Sequence, residues 1–213
     1  MLKRGAGPSE AGPSPREVIV RSAGGFTFIE LLFAVALMAV LGAAAAPQLV
    51  AGLDEWRTRG AVRYVSSRLY QARMEAALWN ADTAVRFVAA GSTYEYFTVV
   101  DGNRNGIRAA DIQAGVDRAV HHTERLADKF AGVDFGALPG LPAVDPSGTA
   151  PGADPIRLGT GDMVTFTPLG SSSPGSLYIR GRGNVQYVVR MFAETGKIRI
   201  LRYYPGTREW KQL

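Results

Sequence analysis

The chain has 213 residues, enough for one domain with its own core plus an appendage, and carries a formal charge of +5. It has no cysteine and two histidines, which excludes disulfides and thiolate chemistry and leaves a His-based zinc site or dispersed triad hard to assemble. The 25 glycines and 12 prolines predict many turns and so a β-rich portion.

Residues 1–25 are rich in Gly, Pro and Ser, lack hydrophobic periodicity and hold Lys3, Arg4, Arg16 and Arg21 against Glu10 and Glu17. That composition reads as a disordered leader. An apolar run follows. Phe26–Ala46 is 21 residues, about 31 Å as a helix, which matches the hydrocarbon thickness of a bilayer. With all the leader cations before it, the positive-inside rule places the N-terminus in the cytoplasm. Three readings compete. In a cleaved secretory signal the cut falls at Ala43–Ala46, but Pro47 then sits just beyond it and Glu30 lies inside the apolar region. A plain signal anchor leaves Glu30 and the glycine pair unexplained.

The third reading rests on Gly24-Gly25-Phe26-Thr27-Phe28-Ile29-Glu30-Leu31. This run resembles the prepilin signal of type IV pilins and type II secretion pseudopilins. The resemblance implies cleavage by a prepilin peptidase after Gly25 and N-methylation of Phe26. Glu30 becomes the fifth mature residue and Pro47 the twenty-second, where many pilins carry a helix-kinking proline. A carboxylate in lipid costs roughly 2.5–3.5 kcal/mol on insertion scales, so it needs a partner. The resemblance supplies one, the new α-amino group of Phe26 on a neighbouring subunit. Pro47 removes a helix hydrogen bond and is expected to bend the helix, with Gly42 and Gly52 loosening the same stretch.

Beyond the apolar run, Val62, Val65, Leu69, Ala72, Ala76 and Trp79 recur at spacings of three and four. Asp54–Trp79 therefore reads as an amphipathic helix laid on a sheet, ended by Asn80–Asp82. Strands are expected at Thr83–Ala89 and Thr93–Val100, joined by a tight turn, then at Met163–Pro168, Ser176–Arg180, Val185–Ala193 and Lys197–Tyr204. Ala114–Lys129 reads as irregular or briefly helical. Pro139, Pro142, Pro146, Pro151 and Pro155 make Gly136–Gly161 a long loop.

Two body segments sharpen the resemblance. Gln71–Asn80 followed by a strand, and Phe166-Thr-Pro-Leu-Gly170 followed by a turn and a strand, resemble the GspH/FimT group of minor pseudopilins and pilins. The resemblance covers most of Phe26–Tyr204, apart from the insertion Asp101–Pro155. It implies an α+β fold: a long N-terminal helix, its first half in the membrane and its second half packed on an antiparallel sheet. The expected organisation is a leader over 1–25, a membrane and filament-core helix over 26–46, an extramembrane helix over 47–82 and a β-rich head over 83–213.

Two further segments are candidate sites. Asp101, Asn103 and Asn105, with Gly106 and the carbonyl of Ile107, form the first half of an EF-hand-like calcium loop. The acidic ligand expected at position twelve is replaced by Ile112, with Asp111 one residue early, so only weak Ca²⁺ binding is expected. The competing reading is an Asx and Asn-Gly turn. The second is the basic C-terminus, where Lys197 and Arg199 sit near Arg180, Arg182, Arg190 and Arg202 with Tyr203, Tyr204 and Trp210 interleaved. Cations among aromatics suit phosphate contact and base stacking. The segment resembles the Gly-Arg-x-Arg motif of FimT-like minor pilins of DNA-uptake pili, which implies DNA as a partner, although Lys197 lacks the bidentate geometry of arginine. The alternative is a solvated hairpin or a surface for another pseudopilin. His121 and His122, adjacent on an extended chain, point to opposite faces and make a poor metal pair.

Sequence alone thus favours a non-enzymatic minor pseudopilin in the bacterial inner membrane with a periplasmic head, whose partners are other pilins and the prepilin peptidase. A FimT-like minor pilin is the alternative within the family. A membrane-tethered enzyme or binding protein that never polymerises is the alternative outside it.

Overall fold

Helix α1 spans Phe28–Trp79, 52 residues without a break at position 47. It belongs to a computed structural model that describes residues 25–145, 148–159 and 161–213. The leader up to Gly24 and Pro146 of the proline-rich stretch lie outside the described residues. The chain divides into two compact units, Met1–Ala44 and Ala45–Leu213. In the first, no side chain of Phe28–Ala44 is buried, and α1 is the one described helix long and apolar enough to cross a membrane. In the second, α1 ends where Asn80 takes a left-handed conformation, φ +49°, a C-terminal stop open to asparagine.

The antiparallel hairpin of β1 (Thr83–Ala90) and β2 (Thr93–Val100) comes next, turned through Gly91 at φ +67°. Short elements cross the expected insertion: α2 (Ala109–Gln113), β3 (Arg118–Ala119), β4 (Glu124–Arg125), α3 (Leu126–Lys129) and β5 (Asp134–Phe135). Then come β6 (Ile156–Leu158), β7 (Met163–Phe166), β8 (Gly175–Arg180), β9 (Gln186–Phe192), β10 (Lys197–Tyr204) and β11 (Glu209–Gln212).

The strands form two antiparallel sheets rather than the one expected. The first has the order β3-β2-β1-β7, with β4 also on β2. The second has the order β11-β10-β9-β8-β5, with β6 also on β8. The helical stripe faces both. Ala61, Val62, Val65, Leu69, Ala72 and Ala76 are buried in one cluster with Val85, Phe87, Tyr96 and Phe166 of the first sheet and Leu177, Ile179, Tyr187 and Met191 of the second. Each fully buried Val, Leu, Ile, Met or Phe here contributes about 1.5–3 kcal/mol. Trp79, assigned to the stripe by its spacing, is 41% exposed at the last residue of the helix. Close approach sets one glycine. A Cβ on Gly181 would stand 2.0 Å from the hydroxyl of buried Thr58, so the β8–β9 turn reaches α1 only as glycine.

The second sheet is covered on its other face too. Leu138, Leu141, Tyr178 and Val188 form a smaller core with Leu201, Tyr203 and Trp210. Up to Pro155, the described residues of the proline-rich stretch form no ladder there but pack as a cover. Gln186, fully buried, accepts from Leu138 N at 2.9 Å and donates to Gly136 O at 3.1 Å. The Trp210 indole donates to Pro142 O at 3.2 Å. Within Gly136–Gly161, expected to be loop throughout, Ile156–Leu158 pairs with β8 immediately after the last proline.

Candidate functional site

At the N-terminal end the described residues include Gly25, Phe26 and Glu30. Thr27 and Glu30 form a capping box: the Thr27 N–H and hydroxyl donate to Glu30 Oε2 at 2.8 and 2.9 Å, and Glu30 N donates back to Thr27 Oγ1 at 3.3 Å. Its signal in the sequence is Thr-x-x-Glu ahead of an apolar run. Its consequence is chemical. One carboxylate oxygen closes the first helical turn, and Oε1 has no partner among the described residues. Cleavage after Gly25 leaves every atom of the box in place.

The Asp101 loop is closed by its own backbone. Asp101 Oδ1 accepts from Asn103 N at 3.0 Å and Arg104 N at 2.7 Å, and Oδ2 accepts from Gly106 N at 2.8 Å. Asn103 Oδ1 takes Asn105 N at 3.2 Å, and buried Asp117 takes Gly102 N and Arg108 N, each at 3.1 Å. Asp111 lies in α2, its carbonyl accepting from Val116 and Asp117, and Ile107 precedes that helix. The geometry is that of Asx turns, and among the described residues no three acidic or imidazole groups converge. Burial, and secondarily the charge of Asp101, push the neighbouring Asp82 carboxyl above its ordinary value.

The basic residues are not brought together as one patch. Arg199 and Lys197 are exposed on the outer face of β10. Arg202, three residues on, points the other way and pairs at 2.8 Å with Glu55 of α1, which also accepts from buried Tyr187. Arg182 lies against Gly132 in the β8–β9 turn. What the register does align is a different row: Arg157 opposite Ser176, Ser176 opposite Arg190, and Arg190 opposite Arg199. Strand pairing decides this, so residue spacing along the sequence could not.

The two body segments that resemble the minor-pilin pattern meet in space. Arg73 of α1 lies against Gly170 and donates to Gly196 O at 3.3 Å, so the helix end, the Phe166–Gly170 turn and the β9–β10 hairpin lock together. His121 Nε2 lies 2.7 Å from Glu75 Oε1 and clips the loop after β3 to α1. Beside it, Glu124 receives the Tyr64 hydroxyl at 2.5 Å and pairs with Arg68 and Lys129. Burial pushes the Glu124 carboxyl up, but the Tyr64 hydrogen bond and the charges of Arg68 and Lys129 outweigh it and hold it below the ordinary glutamate value.

The family of the prokaryotic N-terminal methylation motif matches residues 20–46, the stretch containing Gly25, Phe26 and Glu30. Two solved structures of the minor pseudopilin EpsH from the type II secretion system of Vibrio cholerae are similar, each 16% identical and covering 68% of this chain and 94% of that one, with TM-scores of 0.42 and 0.41. At those scores the likeness decides nothing about what this chain does. No curated protein matches. The motif, the one long apolar helix among the described residues and the antiparallel sheets after it make this an α+β chain that begins with an N-terminal methylation motif.

Proposed function

We propose that the chain is a minor pseudopilin of a type II secretion pseudopilus, a non-enzymatic subunit that assembles after cleavage following Gly25 and N-methylation of Phe26. The observation that carries the reading is the capped, apolar start of α1 with one carboxylate in it. Phe28–Ala44 buries nothing within its own unit, and Glu30 Oε1 has no partner among the described residues. An apolar helix of that length is at rest only in lipid or against similar helices. An α-amino group freed at Phe26 of a neighbour supplies the missing donor to Glu30, so pairing and polymerisation are one event. The leader is cytoplasmic, the helix lies in the inner membrane, and the β-rich unit is the periplasmic head.

The test is intact-mass measurement on protein extracted from membranes. Loss of 25 residues with gain of one methyl group is expected. A full-length mass in cells with an active prepilin peptidase would refute the reading and favour a plain membrane tether.

A further inference from the structure

The outer face of the second sheet carries an open cavity of about 300 Å³, lined by Arg157, Arg190, Ser176, Tyr178, Thr149 and Asp145 among others. Arg157 on β6 and Arg190 on β9 flank Ser176 on β8, so their backbones stand roughly 10 Å apart with a hydroxyl between them. Arg157 donates only to backbone carbonyls, Ala150 O at 3.2 Å and Pro151 O at 3.5 Å, and no carboxylate among the described residues pairs with it. Arg190 donates to Ser176 Oγ at 3.0 Å and pairs with Asp145, and its buried Nε has no partner. Ser176 accepts in that bond, so its own proton is free to donate. The Tyr178 hydroxyl stays protonated, since burial pushes it up against the pull of Arg157 and Arg190. Two guanidinium groups and three hydroxyls thus face a single carboxylate. Such a surplus of donors matches an oxyanion with more than two acceptor oxygens.

We propose that this cavity binds a phosphate or sulfate group, free or carried as a monoester on a molecule of about monosaccharide size, held between Arg157 and Arg190 above Ser176. A volume near the small end of ligand pockets sets that limit on size. Asp145 acts against the ligand. It pairs with Arg190 and repels the anion, so binding must draw Arg190 away from it. The site lies wholly in the Ala45–Leu213 unit and stands whether or not the N-terminal helix polymerises.

Isothermal titration of the full chain in an uncharged detergent, first with inorganic phosphate and then with glucose 6-phosphate, tests the proposal. Binding of both with equal affinity identifies the free anion as the ligand class; tighter binding of the sugar ester identifies the monoester. Arg157→Gln is expected to weaken binding by about tenfold or more, the loss of a charge-assisted pair. Asp145→Asn is expected to tighten it severalfold. Arg199→Gln, in the same row but outside the cavity, should change it less than twofold. The proposal is overturned if neither ligand binds at tens of millimolar, or if Asp145→Asn weakens binding. It also fails if Arg157→Gln and Arg199→Gln have equal effects, which would mean diffuse surface charge. Because Asp145→Asn carries an opposite sign, a folding defect in one arginine variant does not blur the outcome.

Discussion

Gln186→Ala should release the cover over the outer face of the second sheet. Gln186 is fully buried and is the one described side chain that binds Leu138 N and Gly136 O. Its amide also reaches Ile179 O and Tyr187 O, each at 3.0 Å. Truncation strands at least the Leu138 donor and the Gly136 acceptor. At about 1–3 kcal/mol for each buried unsatisfied group, the loss is roughly 2–6 kcal/mol. For a unit of this size, with about 2–4 °C per kcal/mol, Tm should fall by roughly 4–24 °C. The local readout is Trp210, whose ring lies 6.0 Å from Tyr178 and whose indole N–H is held by Pro142. In a Trp56→Phe, Trp79→Phe background, Trp210 emission should shift to the red in Gln186→Ala before the main transition. If Tm falls by less than 2 °C with Trp210 emission unchanged, Gln186 does not pin the cover.

Gly181→Ala should cost about 1–3 kcal/mol by driving a methyl into Thr58, which is stiff and has no room to turn; Thr58→Ala in the same chain should restore most of the loss in a double-mutant cycle. Glu124 has a folded-state pKa below its unfolded value, so its contribution is fully present above the ordinary glutamate range and disappears as pH falls through the lowered folded value. Tm followed downward from neutral pH should therefore drop more steeply in the wild-type chain than in Glu124→Gln, and parallel curves would count against the network. Glu30→Leu removes the charge and the capping box while leaving an apolar helix. Insertion into membranes should survive and co-assembly with other subunits, scored by crosslinking, should be lost; retained co-assembly would remove the pairing account.

Features made by neighbours in the chain were legible before any coordinates. The Gly25-Phe26 junction, Glu30 and the apolar run are contiguous, and so is the signal they form. The helix stripe from Val62 to Ala76 followed from a period of 3.6 residues, and the hairpins at Gly91 and Gly196 followed from turn chemistry. β3, β4 and β5 are two residues each, too short to show any alternation, and exist because a longer strand is there to pair with. β11 lies in a tail whose pattern is weak until β10 provides its register.

What residue order alone determined about this protein is its start: a local capping pattern, a charge inside an apolar helix and a methylation motif, all within one short segment. Tertiary structure alone decided where the charges of the body ended up. Arg202 and Arg199 are three residues apart, yet one pairs with Glu55 on the helix and the other faces outward beside Arg190. A strand turns each successive side chain to the opposite face, and partners across a sheet come from pairing between distant strands, so no spacing along the chain could have foretold the row that lines the outer cavity.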